Sequence, residues 1–336
     1  MNKRYLSMIA AAAAIILAAS CTSDQPELQQ QANQVEIRLR ADVSNMLLTR
    51  AATDIQGSQF GESESINVEI IDAKIDKDGN PTTNPASPVR VPYIFNTTDA
   101  AGAMSPTGTP PYFPNSGNKV NIYAYYPSTF GTTATSSSYV WSEGYTTFSV
   151  AADQTSATGY KASDLMYGVP ASNPVARTTS TIPLTFTHCL SKVIVRIKGD
   201  GNGVQTSSLS TATVAMKAMT SAPVTNEGVA TSQTWASGSA TTVSMGTGTA
   251  TTIETVDYYE TAAIVVPQTI AASSASVITI TLSGGAVYTY TPSKVLTIEA
   301  GKVHIFTITL GLHGISVSAT ITPWGSGTGD TASLIL

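Results

Sequence analysis

Cysteine is almost missing from this chain: Cys21 and Cys189 are the two in 336 residues. A disulfide framework is excluded, and stability must come from packing. Histidine is as sparse, with only His188, His304 and His313, the last two nine residues apart. His188 and Cys189 are neighbours that would point to opposite faces of a strand, so no metal-ligand set assembles. Catalytic signatures are absent as well. There is no HExxH, no GxSxG elbow and no phosphate loop, and the glycine run at 325–329 lacks both a strand-to-helix setting and a lysine. The segment from Asp76 to Asn80 lacks the alternate ligands of a calcium loop and reads as a hairpin turn through Asp78 and Gly79. The sequence therefore nominates no enzyme, no cofactor and no metal.

Charge is scarce too. Charged residues make up 12% of the chain, with 17 basic against 22 acidic side chains. From Ala51 onward the balance is 12 against 18, near −6, with no basic cluster. Nucleic acid is excluded as a partner, because its binding depends on neutralising phosphates. Serine and threonine cover much of the polar surface instead.

What is present begins with a leader. Lys3 and Arg4 precede an apolar run from Met8 to Ala19, too short and wrongly flanked for a spanning helix, so the chain reads as exported. Ser20 stands directly before Cys21 as in a lipobox, although Ala18 occupies the position where leucine is common and Leu17 lies one residue earlier. Acylated Cys21 would hold the precursor on a membrane surface through its lipid, and no internal disulfide would then be possible. The alternative is an ordinary signal peptide cut near Ala19, with an incidental cysteine.

After the leader comes a strand of strict period two. In residues 35–43, Val35, Ile37, Leu39, Ala41 and Val43 alternate with charged residues, which sends one row into a core and one into water. A trypsin-like target follows at once in Leu47, Leu48, Thr49, Arg50 and Ala51. Arg38 and Arg40 are rival sites. Arg50 is preferred because its surroundings read as an accessible loop, whereas arginines in a paired strand are protected.

The same periodicity runs through the body. Strands are expected at 65–72, 89–96, 119–126, 139–143, 146–150, 182–186, 192–198, 213–218, 262–266, 277–282, 287–291, 295–298 and 303–310, with Ser283, Gly284 and Gly285 as a hairpin turn. The polar stretches at 97–118, 199–210 and 232–252 read as loops. No amphipathic helix of useful length lies between strands, so the fold class is all-β, with two tandem antiparallel sandwiches of transthyretin-like or Greek-key type. The organisation expected is a signal peptide at 1–21, a propeptide at 22–50 holding the strand 35–43, a domain at 51–185, a second at 186–312 and a C-terminal segment at 313–336.

That last segment carries a second alternating row, Ile315, Val317, Ala319 and Ile321. If a cut after Arg50 frees residues 35–43, the sheet that held them loses a ladder of hydrogen bonds and exposes an apolar groove. The C-terminal row of another subunit is a candidate to fill it, which is strand addition used as polymerisation. Burying three branched side chains and an alanine would contribute roughly 5 to 9 kcal/mol before ordering costs. A head-to-tail contact of this kind does not close and yields filaments. The competing reading makes 35–43 a permanent first strand and 315–321 a permanent last one.

The leader, the Leu-Thr-Arg50 site, the run from Val120 to Pro127 (VNIYAYYP), the run from Phe186 to Val193 (FTHCLSKV) and the closing Ile321 to Gly325 (ITPWG) together resemble the fimbrillin family of Bacteroidales. The resemblance implies a type V pilus subunit that supports adhesion. Its precursor would be an outer-membrane lipoprotein. An arginine-specific, trypsin-like protease would cut it between Arg50 and Ala51, and it would polymerise with other pilus subunits in a surface fimbrium by strand exchange. The runner-up is a monomeric surface lipoprotein that binds a glycan or a host protein. The tyrosines Tyr123, Tyr125, Tyr126, Tyr258 and Tyr259 are its sugar-stacking candidates, against a plain role in the core.

Overall fold

The computed structural model describes residues 34–43, 60, 64–73, 89–95, 102–114, 117–130, 146–225, 228–229, 233–234, 240–323 and 332–334. Cys21, Arg50, Ala51, the turn at Asp78 and the strand expected at 139–143 lie outside the described residues.

The chain is all-β. Its first half builds β1 (Leu39–Val43), β2 (Ser65–Ala73), β3 (Val89–Phe95), β4 (Met104–Pro106), β5 (Lys119–Tyr126), β6 (Thr146–Ser149), a short helix α1 (Ala157–Ala162), β7 (Met166–Pro170) and β8 (Ile182–His188). All these strands except β6 form one seven-stranded sheet in the order β1-β8-β7-β5-β2-β3-β4. Alternation decides which side chains turn inward: on β5, Val120, Ile122 and Ala124 are buried, and on β8, Ile182, Leu184 and Phe186. They meet Ile66, Val68, Tyr93 and Phe113 in a first core.

The second half builds β9 (Ser191–Gly199), β10 (Thr213–Ala218), β11 (Ser221–Thr225), β12 (Gly228–Val229), β13 (Gln233–Thr234), β14 (Thr241–Thr247), β15 (Thr249–Ile253), β16 (Val256–Val265), β17 (Gln268–Ile270), β18 (Ile278–Thr281), β19 (Val287–Tyr290), β20 (Leu296–Ile298), β21 (Lys302–Gly311), β22 (Gly314–Pro323) and β23 (Ala332–Leu334). A six-stranded sheet, β15-β16-β9-β21-β22-β23, packs on a four-stranded one, β14-β10-β18-β19. Val195, Ile197, Phe306 and Ile308 from the first interlock with Val214, Met216, Val243 and Ile280 from the second.

The two halves also share a third apolar cluster. Tyr125, Phe130, Phe148 and Leu165 from the first half meet Ile194, Ala262, Ile264 and Val303 from the second. A sheet joins them as well, because β6 pairs with β11 in antiparallel register from Thr146↔Val224 to Ser149↔Ser221. Strand β9 is thus buried on both faces. This accounts for its unbroken run Val193-Ile194-Val195, where one-sided burial would produce alternation.

Several features depart from the reading of the sequence. The stretch 232–252, read as a loop, contains β14 and most of β15. Val243 and Met245 are buried there between outward threonines and serines, and threonine suits a pleated edge. Strands β4 and β7 were not expected. Most pairs are antiparallel, yet β1–β8, β9–β21 and β13–β17 are parallel. Elsewhere the match is close. The turn after β18 has Gly285 at φ +83°, and Leu282 N–H donates to Ala286 O at 2.9 Å.

Candidate functional site

The row begun by Val35 lands where the sequence pattern sends it. Ile37, Leu39 and Ala41 are 1%, 2% and 6% exposed in the first core, Val35 packs half-buried against it, and Arg38 and Arg40 face solvent. On one flank β1 runs parallel to β8, from Leu39↔Ile182 to Val43↔Phe186, and Ile182 N–H donates to Arg38 O at 2.8 Å. On the other flank Ile37 N–H donates to Pro111 O at 2.8 Å, Ala41 N–H to Gly102 O at 2.9 Å, and Phe113 N–H to Val35 O at 2.9 Å.

These two flanks are opposite ends of the same sheet. Residues 35–43 therefore bridge the β8 end to the segment carrying β4 and close the sheet on itself, which removes two open edges. Without them, Ile182, Leu184 and Phe186 of β8 and Tyr93, Met104 and Phe113 opposite would lose their cover. Arg38 and Arg40 belong to this backbone-paired segment, which protects their peptide bonds.

Gly102 holds φ +78°, and a Cβ at that position would collide with the carbonyl oxygen of Ala41, so the two backbones approach as only glycine allows. The Tyr93 hydroxyl donates to Ile37 O at 3.3 Å. Burial, reinforced by the carboxylate of Glu36, raises the Tyr93 phenol well above its ordinary range. Along the outside of the strand runs a hollow of about 360 Å³ lined by Arg38, Arg40, Tyr93, Met104 and Thr181. The Glu36–Arg38 ion pair beside it, at 3.3 Å with the arginine 63% exposed, contributes little.

The C-terminal row sits elsewhere. Strand β22 forms a hairpin with β21, in register from Lys302↔Pro323 to Gly311↔Gly314. Ile315 and Val317 are half-buried against the second core, Ala319 is buried and Ile321 is half-buried. Strand β23 covers only part of its outer edge, from Ala319↔Leu334 to Ile321↔Ala332. Hence β22 is a component of its own sheet and not a free extension.

The tyrosines and the His188–Cys189 pair divide between the cores and one surface hollow. Tyr125 is buried and its hydroxyl donates to Glu69 Oε1 at 2.6 Å; Tyr126 is buried and Tyr123 half-buried. Tyr258 and Tyr259 are half-buried beside a hollow of about 350 Å³ that also meets Thr206, Ser207 and Asp257, and Lys198 Nζ lies 5.5 Å from the Tyr258 ring centre. His188 Nδ1 pairs with Asp164 Oδ1 at 2.8 Å in a buried position next to β9. Burial pushes the neighbouring Cys189 thiol up to about 12, an unreactive state at neutral pH. Among the described residues, no three His, Cys, Asp or Glu side chains cluster as a metal site would require. Gly102, Tyr93 and the 111–113 segment complete the groove but were hidden in the sequence. They lie in or near a stretch read as loop, and no local pattern marks a strand-end partner that arrives from far away.

A family profile described as fimbrillin-like matches residues 49–324. No curated protein matches the chain. Among solved structures, a proposed cell adhesion protein from Bacteroides uniformis aligns at a TM-score of 0.58 with 20% identity, covering 87% of this chain and 98% of that one. A proposed cell adhesion protein from Bacteroides ovatus aligns at 0.62 with 15% identity, covering 88% and 99%. At such identities the likeness establishes the fold.

Proposed function

The chain belongs to the fimbrillin-like family, and on that premise we propose that it is a structural subunit of a surface pilus that assembles by strand exchange. It is exported as a lipoprotein acylated at Cys21 and held on the outer membrane. A trypsin-like protease cuts it between Arg50 and Ala51. The freed segment with Val35, Ile37, Leu39, Ala41 and Val43 leaves, and the row Ile315, Val317, Ala319 and Ile321 of a neighbouring subunit takes its place. The pilus then supports adhesion.

One observation carries this reading. A segment on the N-terminal side of Arg50 buries Ile37, Leu39 and Ala41 and closes the sheet between two edges. Once Arg50 is cleaved, that segment is held by non-covalent contacts alone, and its rebinding becomes bimolecular. An emptied groove with two unpaired backbone edges selects a replacement strand of the same pattern. To donate, β22 must unzip from β21, and its half-buried Ile315 and Val317 would gain further burial in the groove, a fraction of the about 1.5 to 3 kcal/mol that full burial of a large residue contributes.

Mass spectrometry of surface material tests the proposal. We expect a mature N-terminus at Ala51 within high-mass, denaturant-resistant ladders, and loss of those ladders in Arg50→Ala. An acylated monomer intact from Cys21 onward would refute the pilus reading and favour a monomeric lipoprotein that binds glycan or host protein, for which the hollow at Tyr258 and Tyr259 is the place to look.

A further inference from the structure

We infer that the hollow between the β15–β16 hairpin and the 3-10 turn Thr206–Leu209 is a binding site for a neutral saccharide, with Tyr259 as its stacking ring and Asp257 as its hydroxyl acceptor. The inference does not depend on strand exchange. Strand β9 runs from Ile194, in the cluster shared by the two halves, to Gly199 beside Thr206, so the hollow lies at the end of the second half that points away from the first. The groove of residues 35–43 belongs to the first half, and the two can be occupied together.

The register of the hairpin sorts its side chains. Ala250 lies across from Tyr259 and Thr252 across from Asp257, so these four share one face, while Thr251 and Tyr258 share the other. Tyr258 is engaged there, with Lys198 Nζ 5.5 Å from its ring centre. Tyr259 rests half-buried against the edge of the second core. Thr206 and Ser207 close the hollow, about 350 Å³, from the opposite side, and Leu209 of the same turn is buried in the second core and anchors that wall. A hollow of a few hundred cubic ångströms is at the lower end of small-molecule sites, with room for about one or two sugar rings. The hairpin wall is stiff as well. Its tip carries Glu254 at φ +48° and Thr255 at φ +70°, the left-handed pair of a tight hairpin turn built without glycine or asparagine, a costly arrangement that persists only where its surroundings hold it.

The polar groups are set for hydroxyls. Thr252 Oγ1 donates to Asp257 Oδ1 at 2.6 Å, which orients the carboxylate and leaves Oδ2 to accept. Thr206 Oγ1 accepts the Gly199 N–H at 3.0 Å, which leaves its own proton to donate. A sugar hydroxyl both donates and accepts, so it can bridge such a pair, while the C–H face of the ring lies on an aromatic surface that is apolar in the middle and wet at the rim. Other ligand classes fit poorly. The one charged side chain lining the hollow is Asp257, which repels phosphates and acidic sugars. A metal ion lacks ligands, since no three His, Cys, Asp or Glu side chains cluster among the described residues. A purely apolar ligand would strip water from the threonines, the serine and the carboxylate and return no hydrogen bond.

Saturation-transfer NMR on the uncut full chain tests the site. The probes are the methyl glycosides of glucose, galactose, mannose and N-acetylglucosamine, with sialyllactose as the acidic comparison. We expect at least one of the four neutral glycosides to bind, with a Kd that is roughly millimolar for so small a ligand and with the strongest transfer to the protons on one face of its ring. Asp257 is exposed, so Asp257→Asn should keep the fold and weaken binding about tenfold or more, as loss of a charged acceptor does. Tyr259→Ala should abolish the signal, while Tyr259→Phe, which keeps the ring, and Tyr258→Ala, which alters the other face, should retain it. Thermal unfolding checks that each variant is folded, and Asp257→Asn decides the matter if Tyr259→Ala is not. Binding that Asp257→Asn leaves unchanged would place the sugar elsewhere and overturn the inference. Binding of sialyllactose alone, or of none of the five probes, would overturn it too. The mature N-terminus and the ladders of surface material are read separately, so failure here leaves the pilus reading standing.

Discussion

Leu39 finds its pairing partner, Ile182, in a strand far along the chain, whereas Ile315 finds Leu310 just across the turn at Leu312 and His313. Both residues belong to alternating rows of similar composition. The difference lies in how each row is secured. Strand β22 is zipped onto the strand before it, with a short loop to close and half of its apolar surface still open. Residues 35–43 are wedged between two ends of a sheet, with Ile37, Leu39 and Ala41 buried, and are tied to the rest of the sheet only through the segment that carries Arg50. A single cut there turns one row into a separate peptide and leaves the other attached. After a cut at Arg50 the buried row would be the separable one of the two, because it alone would lose the high local concentration that the chain provides.

The largest test of this contrast is Leu39→Ala. Truncation at a nearly fully buried position should cost the precursor about 2 to 5 kcal/mol in urea unfolding and hasten release of the segment after cleavage. A loss no larger than that caused by truncating β22 would break the comparison. Next is acid. His304 on β21 lies between Val193 of β9 and Ile321 of β22. Burial depresses its pKa to about 4, aided by the charge of Lys302, and the Glu299 N–H donates to Nε2 of the neutral ring at 3.0 Å. In the unfolded chain the same imidazole protonates near 6.5, so below that pH the unfolded state gains a proton that the folded state refuses. Stability is therefore whole above pH 6.5 and falls as pH drops towards 4, by an amount on the order of a few kcal/mol. Hydrogen exchange should show the β21–β22 hairpin opening in this window, and His304→Gln should flatten the slope. An unchanged slope in that variant would remove His304 from the account. The smallest effect is Val317→Ala. Half-buried in its hairpin, it should cost about 1 kcal/mol, and thermal unfolding of the precursor would measure it.

Much of the framework was legible in the alternation of residues. The bounds of β5 and β10 agree residue for residue with the pattern, and the buried row of residues 35–43 lies on the expected face. The Ser/Thr-rich stretch at 232–252 reads as loop by its polarity, yet a threonine-rich edge with only Val243 and Met245 turned inward makes a good strand. The groove itself was not legible. Its far wall comes from Gly102, Met104 and residues 111–113, in a stretch rich in proline and glycine whose only distinguishing act is to meet a strand from elsewhere.

The sequence alone determined that this chain is built of strands, which side of the alternating ones turns inward, and that an alternating row stands before an arginine in a loop-like context. Those are local properties, because period two and turn chemistry are written in neighbouring residues. Tertiary structure alone decided that the row before Arg50 closes a sheet, that the row after Leu312 is zipped to its neighbour, and that Gly102 stands against Ala41. Each of these depends on which distant segments share an edge, and an edge is satisfied by backbone groups that every residue carries alike.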